Sequence, residues 1–381
     1  MRQQTRLEDI LGFRKNPITS TPLFREFGAK PLDGHPTPET PFVWLSTGPS
    51  GVGVASSVGL ALTLKDMHGE KAPAVHVIEG EGGMTPGRVA EALASAATSG
   101  LDNFYFHVDW NQASIDSNRV TRDGAEAGEY VQWDPCDFLL MHGFNVIYVP
   151  DGFDFAQIRE AQKRAEELDN GRPTGIVYRT VKGWKYGIEG CKSHGAGHGF
   201  YSPEYLESLQ PFEDKTGISF PRYEGEKDPV RVEQAFYESL LAIRGAFENN
   251  MALTRQLSDW IVNSKQRLAE APRALRANPP KLDKLYQAGA ISPFERPDSC
   301  AYEAGSKQTL RGAFSQAMNE VNLLTDGAVL AAAADLYGST NIASITKGFG
   351  SGFWHPRGNP ESRLFSAGGI AEDAMGGICS G

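Results

Sequence analysis

Short apolar runs alternate with longer amphipathic segments along the first half of the chain. The apolar runs predict strands at four places: residues 74–78, 103–110, 144–149 and 174–181. The segments between them predict helices: residues 46–69 (a glycine turn leading into a helix of small residues), 88–98 and 155–168. Strands that alternate with helices in this way indicate an α/β fold, with a doubly wound parallel sheet and helices on both of its faces.

The second half of the chain has a different pattern. A helical pattern runs from residue 230 to residue 277, and a Pro-rich extended stretch follows it. Another α/β unit then begins, with a predicted helix at 308–324, a strand at 328–333 and a loop at 335–356. We therefore expect a main ligand-binding domain at 1–277, a linker at 278–304 and an incomplete second α/β domain at 305–381.

Composition narrows the class of protein. The chain has 381 residues and a formal net charge of −10, which disfavours nucleic acid and anionic membranes as partners. No apolar run reaches the roughly 18 residues that a membrane-spanning helix needs. The cysteines are far apart and form no CxxC pair, as expected for reduced thiols in a cytoplasmic protein: Cys136, Cys191, Cys300 and Cys379.

The glycine-rich stretch VIEGEGGMTPG, at residues 77–87, follows the first predicted strand. A turn of this kind often binds phosphate through backbone N–H groups. It lacks the Gly-Lys-Ser/Thr ending of a P-loop, and Thr85 stands where a dinucleotide-binding fingerprint needs its third glycine. Taken alone, the stretch favours a structural turn that carries solvated acids.

Asn111 changes that interpretation. It follows the second predicted strand, 30 positions after Glu81. Since successive strand ends are neighbours in a parallel sheet, the Glu81 carboxylate and the Asn111 amide are expected to lie close together. Carboxylate, amide and carbonyl oxygens suit Mg²⁺, with Ca²⁺ or Mn²⁺ as alternatives, and Mg²⁺ commonly binds phosphate oxygens as well. The sequence therefore predicts a cation that holds a diphosphate.

A glycine-acid-glycine turn followed about 30 residues later by asparagine resembles the signature of thiamine diphosphate enzymes. Further motifs resemble the transketolase family specifically. In chain order, the motifs are GHP (34–36), STGPSGVG (46–53), GEG (80–82), LDNFYFHVDWNQASIDS (101–117), SHGA (193–196), ADL (334–336) and GGIAEDAMGGICSG (368–381).

The resemblance implies that residues 1–277 form the diphosphate-binding domain and that residues 305–381 are the beginning of a pyrimidine-binding domain. It also implies roles for individual residues. It implies cation ligands at Glu81, Asn111 and the Ala113 carbonyl. It implies that thiamine diphosphate is bordered by Gly48, Pro49, Ser50, Gly80, Glu81, Gly82, Asn111 and His194. It implies catalytic roles for Glu372, His35, and His194 or His198, with Glu372 as a buried, protonated acid that activates the aminopyrimidine ring. Arg311, Asp335 and Ser339 would lie near the sugar-phosphate substrate.

The implied function is transfer of a two-carbon ketol unit between sugar phosphates, as in the pentose phosphate pathway. Two positions depart from the family: Glu81 stands where aspartate is usual, and Pro86 stands where an acid is expected. The motifs end shortly after Glu372, so we expect a fragment or one half of a split enzyme. The implied partners are a second copy, in a homodimer, or a second chain.

Two alternatives stay open at this point. The stretch RTVKGWKYGIEG, at residues 179–190, also resembles the decarboxylating first component of 2-oxo-acid dehydrogenase complexes. A non-catalytic subunit that keeps the fold without turnover is the other alternative. Pro86 and the limited extent of the motifs favour that second alternative.

Overall fold

A computed structural model gives the structure of the protein. It describes residues 5–14, 21–38, 40, 43–46, 48–195, 197–226, 228–271, 273–287, 289–292 and 294–381. Two motif positions, Thr47 and Ala196, lie outside the described residues.

The chain forms two compact units, each made from two separate segments. The helical unit comprises Met1–Ser46 and Lys182–Pro272, and the sheet unit comprises Thr47–Val181 and Arg273–Gly381. Residues after the predicted linker thus pack in the same unit as the sheet. The predicted domains at 1–277 and 305–381 are defined by the part of the cofactor that each would bind. That division stays a prediction.

The helices and strands of the described residues have the following bounds. The α-helices are α1 (Pro22–Glu26), α2 (Val52–His68), α3 (Gly87–Thr98), α4 (Pro135–Met141), α5 (Phe155–Glu167), α6 (Pro203–Thr216), α7 (Pro229–Asn249), α8 (Met251–Glu270), α9 (Leu310–Thr325) and α10 (Glu372–Ser380). The strands are β1 (Val75–Gly80), β2 (Phe104–Trp110), β3 (Asn145–Val149), β4 (Thr174–Arg179), β5 (Gly350–Phe353) and β6 (Ser362–Leu364).

The first four strands form one parallel sheet in the order β1-β2-β4-β3. All four strands predicted in the first half of the chain are present, and the α/β fold class is confirmed. Because neighbouring parallel strands run the same way, the segments that follow β1, β2 and β4 emerge at one edge of the sheet.

The alternation of side chains along β2 separates the two faces of the sheet. Phe104, Phe106 and Val108 are buried in the main core, which α2, α3 and α10 cover. Tyr105 points to the other face, where α5 packs over β3 and β4 with Ala161 in a smaller core. Helices therefore lie on both faces, as the sequence predicts for a parallel sheet.

The small residues of α2 permit close packing against α10. A Cβ on Gly59 would lie 2.1 Å from the carbonyl oxygen of Ile378, and one on Gly377 would lie 2.4 Å from the Cβ of Ala55. Neither glycine can accept a side chain without a shift of the neighbouring helix. This contact attaches the last helix of the chain to the sheet unit.

One prediction for the second half of the chain is wrong and one is confirmed. The predicted strand at 328–333 forms only an isolated bridge between Ala331 and Leu364, consistent with its alanine-rich sequence, since alanine is depleted in strands. The helical pattern predicted from 230 to 277 is confirmed as far as Glu270, and it is divided into two helices because Asn250 ends α7 and caps α8 by accepting a hydrogen bond from the Leu253 N–H.

In the helical unit, α1 packs with α7 around Leu11, Phe24, Ala29 and Leu240. The buried carboxylate of Glu233 on α7 accepts hydrogen bonds from the N–H groups of Leu23 and Phe24, at 2.9 and 3.2 Å. These bonds satisfy two otherwise unpaired donors at the start of α1.

Candidate functional site

The ends of β1 and β2 lie side by side, as the sequence predicts. Gly80 is paired with Asp109 in the sheet register, so Glu81 and Asn111 both follow directly after neighbouring strand ends. The backbone N–H of Asn111 donates a hydrogen bond to Oε2 of Glu81 at 3.2 Å. This bond holds the two predicted ligands together.

Glu81 is buried and only half satisfied. Its residue surface is 1% exposed, and its Oε1 atom has no hydrogen-bond partner among the described residues. Burial raises the pKa of its carboxyl group to about 7. An unpartnered buried carboxylate oxygen is unfavourable by itself and is the kind of atom that a bound cation would satisfy.

Asn111 is held in one orientation by its neighbours. Its Oδ1 accepts a hydrogen bond from the Ala113 N–H at 2.9 Å, and its Nδ2 donates to Oδ2 of Asp109 at 3.2 Å. Gln112, between them, has a left-handed backbone with φ 62°, and its side-chain amide bonds both backbone groups of Thr121. The turn after β2 is therefore fixed by its own hydrogen bonds.

These groups fit a hard divalent cation. Glu81 Oε1 has no partner, and Asn111 Oδ1 has a second lone pair beyond the bond from Ala113. Within the described parts of the chain, no group of three or more His, Cys, Asp or Glu side chains is arranged to hold a metal ion. A cation at this edge would therefore need amide and carbonyl oxygens in addition to carboxylate, a donor set that Mg²⁺ and Ca²⁺ accept.

Glu79 is a polar feature of this edge that the sequence reasoning missed. Its Oε1 accepts a hydrogen bond from the Gly80 N–H at 3.0 Å, and burial raises the pKa of its carboxyl. A Cβ on Gly83 would lie 2.1 Å from the same oxygen. Strict alternation from the buried residues Val75 and Val77 could have placed Glu79 on the buried face.

The two glycine-rich turns adjoin in the sheet unit. Gly51 has φ 83° and begins the turn into α2, and a Cβ there would lie 2.8 Å from a methyl carbon of Val89 on α3. Gly48, Pro49 and Ser50 are exposed immediately before it. A Cβ on Gly82 would meet no atom within 4 Å, so open space lies beside that residue.

The start of α10 lies beside the start of α3. Nε of Arg88 is 3.2 Å from Oδ2 of Asp373, and the Ala374 N–H donates to Oε2 of Glu91 at 2.9 Å. Glu372, the first residue of α10, is exposed. Glu372 is therefore not covered within its own unit, and its burial in an assembled site stays a prediction.

The three candidate histidines belong to the helical unit. His35 is exposed, and its backbone N–H donates to Oδ1 of Asp33 at 3.2 Å. His194 is exposed, with its Nδ1 3.5 Å from Nζ of Lys182. His198 packs on the ring of Tyr186, and its Nε2 lies 2.7 Å from the Tyr186 carbonyl oxygen. Of the two alternatives, His194 has the more accessible ring.

The three candidate substrate residues lie at the surface of the sheet unit. Arg311 is exposed in the first turn of α9, and Asp335 and Ser339 are exposed in the loop after the Ala331 bridge. The side chain of Asn341 comes within 3.8 Å of a Cβ built on Gly312, so this loop adjoins the start of α9. The loop that carries Ser339 therefore lies beside the first turn of α9, which carries Arg311.

A cavity of about 510 Å³ lies on the face of the sheet beside α5. His107 is buried at its base, with its two ring nitrogens 2.9 Å from His76 Nδ1 and from Tyr178 Oη. Burial lowers the pKa of His107 to about 4. These polar groups satisfy one another, which suits a neutral imidazole within a sheet.

No helix in the described ranges is both long enough and apolar enough to cross a membrane.

Comparison with known proteins identifies the family. Residues 4–209 match the family model described as transketolase, thiamine diphosphate binding domain. The matched segment includes β1 to β4 and both Glu81 and Asn111.

Curated relatives agree with this match. Transketolase-like protein 2 of Homo sapiens is 35% identical over 156 residues, which cover 40% of this chain and 23% of that protein. Transketolase 2 of Escherichia coli (strain K12) is 28% identical over 298 residues, which cover 70% of this chain and 41% of that protein. The matched part thus spans less than half of either relative.

Solved structures show the same fold. Transketolase from Leishmania mexicana superposes with a TM-score of 0.59 at 20% identity, covering 98% of this chain and 50% of that one. A transketolase from Pichia stipitis in complex with xylulose 5-phosphate gives a TM-score of 0.55 at 19% identity, covering 90% and 47%. Because the family model matches more than half of its residues, this chain belongs to the transketolase family through a thiamine diphosphate binding domain.

Proposed function

We propose that this chain takes part in transketolase-like transfer of a two-carbon ketol unit between sugar phosphates, with thiamine diphosphate and Mg²⁺. The observation that carries the proposal is the Glu81–Asn111 pair, hydrogen-bonded at two adjoining strand ends inside the matched thiamine diphosphate binding domain. A buried carboxylate with an unpartnered oxygen destabilises the fold unless a ligand such as a cation binds to it.

In this proposal the cation is held by Glu81, Asn111 and the carbonyl of Ala113, with Ca²⁺ or Mn²⁺ as substitutes for Mg²⁺. The exposed turn before α2 and the open space beside Gly82 would accommodate the diphosphate. Peptide N–H groups at the start of α2 favour an anion there. Gly48, Pro49, Ser50 and Gly80 would border the cofactor.

Thiamine diphosphate, when bound, supplies a nucleophilic carbon and an electron sink for breaking and forming the carbon–carbon bond. Glu372 would hold a proton on its carboxyl for the aminopyrimidine ring. A carboxyl keeps its proton near neutral pH only where it is removed from water. Since Glu372 is exposed in this chain, the role requires a covering surface from a second copy or a second chain.

The candidate histidines would move protons of the sugar hydroxyl groups, a task that suits imidazole near neutral pH. His194 is the better candidate of the two in the glycine-rich loop, because Nε2 of His198 is engaged by the Tyr186 carbonyl. His35 is exposed and accessible to a bound substrate.

Sugar phosphates are the proposed substrates, and one solved relative carries xylulose 5-phosphate in its crystal. Arg311 would bind the substrate phosphate, with Asp335 and Ser339 near the sugar hydroxyls. Arginine suits phosphate because its guanidinium group donates two parallel hydrogen bonds. A cytoplasmic location is part of the proposal, since the four cysteines are far apart in the sequence and form no CxxC pair.

Turnover assays test this function and separate it from its alternatives. The protein is incubated with thiamine diphosphate and Mg²⁺, with a pentose phosphate acceptor, and with either xylulose 5-phosphate or pyruvate as donor. Consumption of xylulose 5-phosphate, alone or with a partner chain, supports ketol transfer. Pyruvate-dependent dye reduction would instead support a 2-oxo-acid dehydrogenase component, and failure to bind the cofactor would support a non-catalytic homologue.

A further inference from the structure

We propose that Asp109 is a positioning residue that sets the orientation of the Asn111 side chain for the cation, with Thr180 as its support. This inference rests on the proposed function, because it explains why Asn111 would present its Oδ1 atom, and not its NH₂ group, to the cation. Neither Asp109 nor Thr180 is among the residues that the sequence motifs assign to the site.

Asp109 lies between two partners at the end of β2. Its Oδ2 accepts the hydrogen bond from Nδ2 of Asn111 at 3.2 Å. Its Oδ1 accepts a hydrogen bond from the hydroxyl group of Thr180. Both carboxylate oxygens of Asp109 are thus hydrogen-bonded, one to Asn111 and the other to Thr180.

Thr180 is itself fixed by the neighbouring strand end. It follows β4 directly, and its backbone N–H donates to the carbonyl oxygen of Trp110 at 3.1 Å. Arg179 donates to the same carbonyl at 3.0 Å and to Oδ2 of Asp123 at 2.9 Å. Thr180, which supports Asp109, is therefore held in place by hydrogen bonds between the ends of β2 and β4.

An ionised carboxylate accepts hydrogen bonds and donates none, so it selects one of the two ends of an asparagine amide. With Nδ2 directed at Asp109, Oδ1 of Asn111 lies on the side of the Ala113 N–H. That oxygen keeps one lone pair for a cation. Without Asp109 only the bond from the Ala113 N–H would hold the amide, and any rotation about χ2 would present the NH₂ group, which repels a cation.

Groups that orient a metal ligand affect the affinity of the site for the metal ion. In metal sites, loss of a group that orients a ligand typically weakens metal binding about 10- to 100-fold. The effect of Asp109 on orientation can be separated from the effect of its charge. In an Asp109→Asn variant the new amide oxygen can still accept from Asn111, while its NH₂ group donates to the Thr180 hydroxyl.

The test measures Mn²⁺ affinity by electron paramagnetic resonance of the free ion, in the presence of thiamine diphosphate. We expect Asp109→Ala to weaken Mn²⁺ binding about 10- to 100-fold, and we expect Asp109→Asn to restore most of that loss. The matched control is Asp116→Ala, which removes an exposed acid from the same loop without touching Asn111. Unchanged affinity in Asp109→Ala, or equal losses in the Ala and Asn variants, would overturn the proposal.

Thermal unfolding of each variant shows whether it is folded, and Thr180 gives a second way to test the same support. If Asp109→Ala does not fold, Thr180→Val should weaken Mn²⁺ binding and Thr180→Ser should restore it. Equal affinity in Thr180→Val and wild type would then count against the proposal. Glu81→Ala separates the two hypotheses: if it binds Mn²⁺ as well as wild type, the proposed cation site itself is wrong. If it fails to bind while Asp109→Ala binds normally, only the role of Asp109 is wrong.

Discussion

Single residues at the end of β1 differ sharply in the space around them. Gly83 lies under the Glu79 carboxylate, whereas Gly82 faces open space. Both belong to the same glycine-rich stretch, and the sequence alone gives no reason to separate them. The difference arises because Glu79 folds back to bond the Gly80 N–H.

This difference predicts opposite behaviour for two alanine variants. Gly83→Ala should lower the free energy of unfolding by about 0.5–1.5 kcal/mol, because its Cβ forces the Glu79 side chain to move and to lose the hydrogen bond from the Gly80 N–H. Gly82→Ala should change it by less than about 0.5 kcal/mol, since the new methyl meets nothing. Urea denaturation measures both values.

Gly82→Ala has a second use if thiamine diphosphate occupies the open space. We expect it to weaken cofactor binding in a calorimetric titration while leaving stability unchanged. Equal destabilisation by the two variants would show that the geometry at Gly83 is misassigned.

His107 predicts a dependence of stability on pH. Burial lowers its pKa in the folded protein from 6.5 to about 4, so between these values the unfolded chain binds the proton and the folded chain does not. The contribution of His107 to the free energy of unfolding should therefore fall as the pH is lowered from about 6.5 towards 4, whereas Glu81, whose pKa is raised to about 7, contributes with the opposite sign. The free energy of unfolding of wild type minus that of His107→Gln, measured by urea denaturation at intervals across that range, isolates the His107 contribution and should fall as the pH is lowered. A variant with the same slope as wild type would show that His107 is not the group responsible.

At the scale of elements, the contact between α2 and α10 depends on glycine. Gly377 faces Ala55 at a distance that excludes a side chain, whereas Gly376, its neighbour in the same helix, faces open space. The two positions provide a matched pair for testing the packing of α10.

Gly377→Ala should destabilise the sheet unit by about 1–3 kcal/mol, because the helices must separate to admit a methyl group. Gly376→Ala should be neutral or stabilise it by up to about 1 kcal/mol, since alanine favours the helix more than glycine does. Thermal unfolding followed by circular dichroism compares the two. Loss of stability in Gly376→Ala alone would contradict the assigned helix face.

Element prediction succeeded where the pattern is local. The four strands of the main sheet combine apolar runs with clear ends, and all four were predicted within a few residues. The two-stranded sheet of β5 and β6 was missed, because both strands are short, β5 contains two glycines, and the strands pair only through the tertiary fold. The helix α6 was also missed, since Pro211 within it suggests a break.

At the scale of the whole molecule, contacts distant in sequence hold the sheet unit together. Asp66 on α2 is buried and accepts two hydrogen bonds from Arg363, at 2.7 and 2.9 Å. Arg276 and the Trp354 indole N–H also donate to it, at 3.3 and 3.1 Å. This network explains why residues 273–381 pack in the same unit as the sheet, which the composition of the Pro-rich stretch could not indicate.

In the candidate site too, some features follow from the local sequence pattern and others depend on the tertiary structure. The pairing of Glu81 with Asn111 could be predicted, because each follows a strand and successive parallel strands end together. The support of Asn111 by Asp109 and Thr180 depends on side-chain rotamers at the ends of β2 and β4, which spacing does not determine. The exposure of Glu372 depends on what covers α10, and the sequence motif contains no information on that.

The central claim is that Glu81 holds the cation that binds the cofactor diphosphate. Isothermal titration calorimetry of thiamine diphosphate into wild type, Glu81→Ala and the control Asp116→Ala, each with and without Mg²⁺, tests it most directly. Wild type and Asp116→Ala should bind the cofactor only when Mg²⁺ is present, and Glu81→Ala should show no Mg²⁺-dependent binding. Binding by Glu81→Ala that is as tight and as dependent on Mg²⁺ as in wild type would contradict the claim.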